Sequence, residues 1–417
     1  ITVGNQRQIS VALKENSVGL DEVVVVSFGT QKKRTMTGAV TSVKAEETKG
    51  LPVTQFAQGL QGKVSGVQIY QSSGKPGEGM SFRIRGAGSL NSGNTPLFVV
   101  DGMPITTEIS NISPDEIESF SVLKDASASS LYGSRAANGV ILITTKKAQK
   151  GKTSVEFSAN VGLQTINESR LPDMMNGTEY AQWKKNYYED MIKYTGWKDP
   201  QTGKSEVPEV YRNPEQYGEG TNWFDKITRD ALIQNYGVTI SSGNDKLKST
   251  VVASYANQEG MLINTGYERF NFRVNTLYTP TEKIRLGVNL APSYRKHENQ
   301  DTDGGWTTIA CALYAPPIIP FYNADGSMPE VLSAVGSLKQ PNPYLMLTRQ
   351  TNVYKGTRIL GNAFLEVDVW KGLTWKSTFS IDAESSNHRI YKPIEASGEI
   401  NAVGPKSAGT YQTGFQS

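Results

Sequence analysis

The chain has 417 residues, 43 of them basic and 40 acidic, with two histidines and one cysteine. The near-neutral balance argues against the dominating positive field of a nucleic-acid binder, and Cys311, standing alone, excludes an internal disulfide. His297 and His388 leave little for a Cys/His zinc site.

No run of 18 apolar residues occurs, so no transmembrane helix is expected; a membrane β-barrel, whose strands alternate, stays open. The length is a prior of two to four domains unless one part is a large barrel. Ile1 opens inside a strand-like pattern with no initiator Met and no signal-peptide regions, so a preceding segment is expected in the precursor. The run Asp21-Glu22-Val23-Val24-Val25-Val26 follows, then a polar, basic stretch from Ser27 to Thr35. Four consecutive β-branched residues disfavour a helix, leaving either a buried strand or an exposed strand awaiting a partner's sheet edge.

From 38 to 148 short β patterns alternate with one or two helical pieces, which predicts a compact α+β domain. Strands are expected at Gly38 to Val43, Val64 to Tyr70, Ser81 to Arg85, Pro96 to Asp101, Ile117 to Leu123 and Gly139 to Lys146. Asp125 to Gly133 reads as a short helix with Asp125 as its cap and Gly133 ending it. Gly86-Ala87-Gly88 lacks the spacing and the following helix of a phosphate loop. Arg83 and Arg85, two apart, are predicted on one strand face.

The second half repeats a period-two pattern seven times, first at Ser154 to Gln164 and last at Leu373 to Ile381. Tight connections at 242–245, 279–283 and 371–372 alternate with longer ones, of which 165–235 and 295–357 are the longest. Short turns confined to one end are the habit of an outer-membrane barrel, and Tyr236, Tyr255, Tyr267, Tyr278, Tyr294 and Trp370 suit an interfacial girdle. Seven strands cannot close a barrel, so a continuation past Ser417 or a second chain is expected. No placed carboxylate pair suggests an enzyme, and Asn299 to Gly305 reads as a turn or, weakly, as a cation site without the remaining ligands.

Three stretches carry a family likeness: Leu97-Phe98-Val99-Val100-Asp101-Gly102-Met103-Pro104, Val122 to Ala128, and Leu131-Tyr132-Gly133-Ser134-Arg135-Ala136-Ala137-Asn138-Gly139-Val140-Ile141. They resemble the plug of a SusC/RagA-type TonB-linked outer-membrane transporter, and Asp21 to Val26 resembles that family's TonB box. The resemblance implies an antiparallel, up-and-down membrane β-barrel, of 22 strands in the family, with an N-terminal α+β plug in its lumen. It divides the chain into the end of a carboxypeptidase-regulatory-like domain (1–16), box and linker (17–37), plug (38–148) and the first part of the barrel (149–417).

It further implies active import through the outer membrane of a Gram-negative bacterium. The partners would be TonB with ExbB and ExbD, driven by proton motive force, a SusD-like lipoprotein as lid, membrane lipid, and an oligosaccharide or oligopeptide cargo, with no cofactor and no nucleic acid. Arg83, Arg85, Asp101 and Arg135, in or beside the matched motifs with Tyr132, are expected to put at least two members into a polar network within the plug or against the wall. Trp183, Trp197, Trp223, Trp306 and Tyr314 in the long loops are candidate platforms for cargo or lid.

Overall fold

The computed structural model describes residues 23–26, 29–32, 40–48, 55–86, 93–105, 109–124, 130–200, 202–300, 307–396 and 408–416. Strand β1 (Val23–Val26) pairs antiparallel with β2 (Gly29–Lys32), Val23 opposite Lys32 and Val26 opposite Gly29. Part of the stretch read as box and linker thus forms a hairpin. Asp21 and Glu22 lie outside the described residues.

A five-stranded sheet follows, in the order β3-β8-β9-β6-β7, from β3 (Val40–Lys44), β6 (Leu97–Val100), β7 (Met103–Ile105), β8 (Ile117–Leu123) and β9 (Val140–Thr145). The hairpin of β4 (Val67–Gln71) and β5 (Met80–Ile84) stands beside it. Their shared core is aromatic: Phe82 meets Phe98 edge-on at 5.2 Å and stacks with Phe120 at 6.3 Å. Strand β5 ends at Ile84 because Arg85 turns left-handed, at φ 56°, so Arg83 and Arg85 do not continue one strand face as their spacing predicted. Of the helix expected over 125–133, residues 125–129 lie outside the described set. The remainder is a 3-10 turn, Ser130–Ala136, that Gly133 kinks at φ 65° instead of ending.

The C-terminal half is one antiparallel sheet of eight strands. In order they are β10 (Thr153–Gln164), β11 (Ala231–Gly243), β12 (Leu247–Glu259), β13 (Gly266–Thr281), β14 (Ile284–Glu298), β17 (Thr351–Trp370), β18 (Leu373–Lys392) and β19 (Ala408–Gln416). Two short strands, β15 (Val331–Leu332) and β16 (Gln340–Pro341), pair within the 299–350 connection. The count of eight corrects the expected seven. In β19 the alternating aromatics Tyr411 and Phe415 are diluted by Gly409, Thr413 and Gly414, which weakens the apolar period.

The sheet is apolar on the face turned away from the N-terminal unit and polar on the face turned toward it. Phe270, Phe272, Val288 and Leu290 are 43–50% exposed although β13 and β14 have neighbours on both sides, while Arg269, Asn271, Arg273 and Asn289 between them are 2–8% exposed. A soluble sheet would bury the first set; lipid takes that role for a barrel wall. Tyr236, Tyr255, Phe270 and Tyr294 stand in register on adjacent strands, with ring centroids 6.5, 4.5 and 6.4 Å apart, and make an aromatic row across four strands of the outer face. Tyr267 is a correction to the girdle. It faces inward, 3% exposed, and its ring fills the space where a side chain at Gly77 would stand.

Strand connections are tight at one end, 244–246, 282–283 and 371–372, and longer at the other, 165–230, 260–265, 299–350 and 393–407. Asn244 shapes the first tight turn by accepting hydrogen bonds from the amides of Lys246 and Leu247 at 2.9 and 2.7 Å. At the long end, the 165–230 and 299–350 loops fold on each other. Tyr188 stacks on Tyr211 at 5.8 Å and Tyr211 Oη donates to the Val335 carbonyl at 2.6 Å. Burial and the neighbouring phenols of Tyr180 and Tyr188 push the Tyr211 phenol upward from its ordinary range, which keeps it a neutral donor.

Candidate functional site: the seam between the N-terminal unit and the wall

The seam is organised by Ser113-Pro114-Asp115-Glu116, a capping box on a 3-10 turn. The Ser113 hydroxyl accepts from the Asp115 amide at 3.4 Å, and Glu116 Oε1 accepts from the Ser113 amide at 3.4 Å. That fixes the Glu116 carboxylate and turns its second oxygen to the wall, where Arg273 Nε donates to Oε2 at 2.7 Å. Both side chains are at most 3% exposed. Arg273 Nη1 then donates to Asn289 Oδ1 at 2.8 Å, and Asn289 Nδ2 to Asp101 Oδ2 at 2.7 Å.

Asp101 is the turning point. Asp101-Gly102 has positive φ at both residues, 47° and 88°, the conformation a two-residue hairpin between β6 and β7 requires, and one that Asp and Gly tolerate. Its carboxylate accepts from the Thr145 amide at 3.1 Å and the Thr145 hydroxyl at 2.5 Å, and Lys147 approaches at 3.6 Å. One continuous chain of polar contacts therefore runs from Glu116 through two wall strands back to β9.

Above it, toward the long loops, Arg269 Nη1 donates to the Ser110 carbonyl at 2.6 Å and Asn271 Nδ2 to the Asn111 carbonyl at 2.5 Å. Arg295 bridges Asn111 Oδ1 at 3.2 Å to Glu384 at 2.6 Å. On the flank, Ser158 of β10 donates to Asp115 at 2.8 Å. Near the long-loop end the Gly77 amide donates to Gln258 Oε1 at 3.2 Å. A wet lumen can re-form such bonds with water, so a seam of this chemistry holds at rest and separates while exposing little apolar surface.

Of the residues singled out from the sequence, Asp101 alone is seen at the heart of this seam. Arg83 is exposed and lies over the Tyr70 ring at 5.5 Å; Arg85 lies past the end of β5; Arg135 is exposed; Tyr132 is buried against Val99, Ala136 and Leu142. The loop aromatics divide. Trp183 and Tyr314 are exposed at 48% and 60%, Trp197 is half-buried beside Tyr188, and Trp306 lies outside the described residues. Trp223 is 2% exposed in a loop core with Ile227, Leu332 and Leu347, which corrects its candidacy as a platform. Asp301 and Asp303 of the weak cation reading also lie outside the described residues. The residues missed were Arg269, Asn271, Arg273 and Asn275, which sit at every second position of β13 between Phe270, Phe272 and Val274.

A family model described as the TonB-dependent Receptor Plug Domain matches residues 32–140. A TonB-dependent receptor of Formosa agariphila is 34% identical over 394 residues, covering 94% of this chain and 38% of that relative. The TonB-dependent receptor SusC of Bacteroides thetaiotaomicron is 34% identical over 327 residues, 76% of this chain and 30% of SusC. Among solved structures, the RagAB peptide importer in its open-open state is 25% identical with a TM-score of 0.76, over 94% of this chain and 45% of that one. In its closed-closed state it is 26% identical with a TM-score of 0.71, over 86% and 42%. The chain thus spans less than half the length of each of these proteins.

Proposed function

The chain belongs to the SusC/RagA type of TonB-dependent receptor, and we propose that it supplies the plug and first wall strands of an outer-membrane importer of oligosaccharides. In this reading TonB, energised through ExbB and ExbD, pulls on the segment 17–37, the plug spans 38–148, the wall begins at 149, and a SusD-like lipoprotein covers the long-loop face; residues 1–16 end a preceding domain. The observation that carries the reading is the seam: a compact unit held against the polar face of a wall by Glu116, Arg273, Asn289 and Asp101, with lipid-type apolar residues behind. A second reading, import of oligopeptides by the same route, is favoured by the likeness to the RagAB peptide importer.

Growth of a strain lacking the gene, on single glycans as carbon source and on peptides as nitrogen source, separates them. Loss on one glycan class with growth on its monosaccharides retained is the expected result. Loss confined to peptides moves the cargo to the second reading, and no loss on either overturns the import of short oligomers.

The sidedness has its own test. Cys311 is buried, which pushes its thiol up to about 11, so it gives no background in thiol labelling. In intact cells an impermeant maleimide is expected to reach Trp183→Cys and Tyr322→Cys, both exposed positions in the long loops, and to miss Asn244→Cys in the tight turn. Labelling at 244 alone reverses the topology.

A further inference from the structure

A cavity of about 830 Å³ opens in the plug on a side to which none of the described wall strands contributes. Tyr70, Ser72, Glu78, Ser81 and Arg83 of the β4–β5 hairpin form one side of it, and residues 93–98 with Arg135 another. The second rim is built rather than loose: Asn138 Nδ2 donates to the carbonyls of Gly93 and Thr95 at 2.8 and 3.4 Å, and the Leu97 amide to the Gly139 carbonyl at 3.0 Å.

The place of the cavity along the pore follows from the hairpin tip. Gly77 is fastened to Gln258 and packed under Tyr267, at the two ends of the 260–265 connection, and so stands at the long-loop end. Ser72 and Glu78, flanking that tip, are already cavity lining.

Two guanidiniums, Arg83 and Arg135, line this space against the single carboxylate of Glu78, and among the described residues neither arginine has a carboxylate within ion-pair distance. Among the described residues Arg83 meets the face of the Tyr70 ring and spends no donor on a hydrogen bond. A cation lying over an aromatic face, with a second lining the same space and hydroxyls around, is the chemistry that holds an oxyanion through charge-assisted, often bidentate, hydrogen bonds.

We infer that this cavity is an acceptor for an anionic end group of the cargo, a carboxylate or a sulfate ester, and that Arg83 and Arg135 make the receptor select acidic oligomers over neutral ones. The inference rests on the import reading above and narrows it. A uronate or sulfated sugar and a peptide C-terminus share the required oxyanion, so the assay below includes both.

The purified full-length receptor is incubated with a mixture of galacturonate oligomers, sulfated and unsulfated galactan oligomers, and tryptic peptides. A parallel mixture has its carboxylates converted to methyl esters and its sulfates removed. Retained species are quantified by mass spectrometry. Wild type is expected to retain at least one acidic class about tenfold over its uncharged counterpart, the weight of one charge-assisted pair. The double variant Arg83→Ala with Arg135→Ala is expected to lose that preference, and Arg83→Lys with Arg135→Lys to keep part of it, since the charge survives and the fork does not.

Enrichment of glycans assigns the source as a sugar acid, and enrichment of peptides assigns it as a C-terminus. No acidic preference in wild type, or the same preference in the alanine variant, overturns the inference. Heat-modifiable migration of each variant reports that the barrel is folded. Uptake that is independent of TonB would overturn the import reading instead, and leaves the retention ratio as a separate result.

Discussion

Replacing Arg273 by alanine will unseat the plug. Glu116 is 1% exposed and stays tied to the Ser113 amide, so removing the guanidinium leaves a buried carboxylate without a cation. Stranding one partner of a buried pair costs about 3–5 kcal/mol. An exposed pair such as Lys150 with Asp245 is worth about 0–1 kcal/mol by comparison. The expected readouts are rapid protease cleavage within 101–117 of the purified receptor and entry of a large antibiotic that intact outer membranes exclude. Arg273→Lys falls between, because it keeps a charge and loses the second hydrogen bond, to Asn289. The double substitution Glu116→Gln with Arg273→Met is the decisive control. With neither charge of the pair left stranded, it should cost less than Arg273→Ala alone. If it costs as much, the seam is held by shape and the ionic account is wrong.

Why a wall should carry such a pair follows from what surrounds it. Within the plug, contact is apolar and permanent, as with Phe56, Phe82, Phe98 and Phe120. Between plug and wall, the described contacts are dominated by hydrogen bonds to Ser110, Asn111, Asp115, Glu116 and Asp101, with Ala291 and Leu360 as the wall's apolar members of the core cluster. Polar contacts cost little to exchange for water and apolar ones cost in proportion to the area exposed, about 25 cal/mol per Å². The boundary along which a pulled plug parts from its wall is thus written in the chemistry of the two surfaces.

Much of this was legible in the sequence, and the gaps have physical causes. Period-two patterns located seven of the eight wall strands because lipid-facing positions must be apolar whatever their neighbours are. The upper parts of β17 and β18 went unread, since beyond the membrane the same strands carry Asn352, Lys355, Asn387 and His388, and no apolar period survives. Asp101 was legible because it sits in a matched motif. Its partners were not. The partner of Glu116 is 157 residues away, and nothing local distinguishes an arginine that will meet a plug from one that faces water. A signal existed all the same: Arg269, Asn271, Arg273 and Asn275 are consecutive inward positions, each long or amide-bearing, on a strand whose other face is Phe270, Phe272 and Val274. Reading the polar face of each strand with the care given to its apolar face would have found them. Trp223 was misjudged for the converse reason, because an aromatic in a long loop serves a loop's own core as readily as a ligand.

Deleting residues 21–26 will abolish uptake and leave the receptor folded at its normal level in the outer membrane. Among the described residues the hydrophobic core clusters begin at Val43 and the seam contacts described above begin at Gly77, so the deletion removes no member of either, although β1 lies beside β9. What it removes is β1, four valines whose backbone is paired with Gly29–Lys32. An extended segment of that composition joins a partner's sheet edge through main-chain hydrogen bonds, which share a pulling load along the strand. The hairpin adds a step: the pairing with β2 occupies one edge of β1, so a partner either takes the other edge or displaces β2. Val24→Pro discriminates coupling from folding, since it deletes one backbone donor and leaves the length of the segment unchanged. Uptake lost with surface level and protease resistance unchanged is the expected result, whereas a fall in level would mean β1 is a structural strand of the plug. A disulfide between Val24→Cys and Gln31→Cys, which stand directly opposite in the ladder, would then decide between the two routes. Uptake that stops when the bond forms and returns with reductant means that β2 must be displaced. Uptake that continues through the oxidised hairpin means that the free edge is enough.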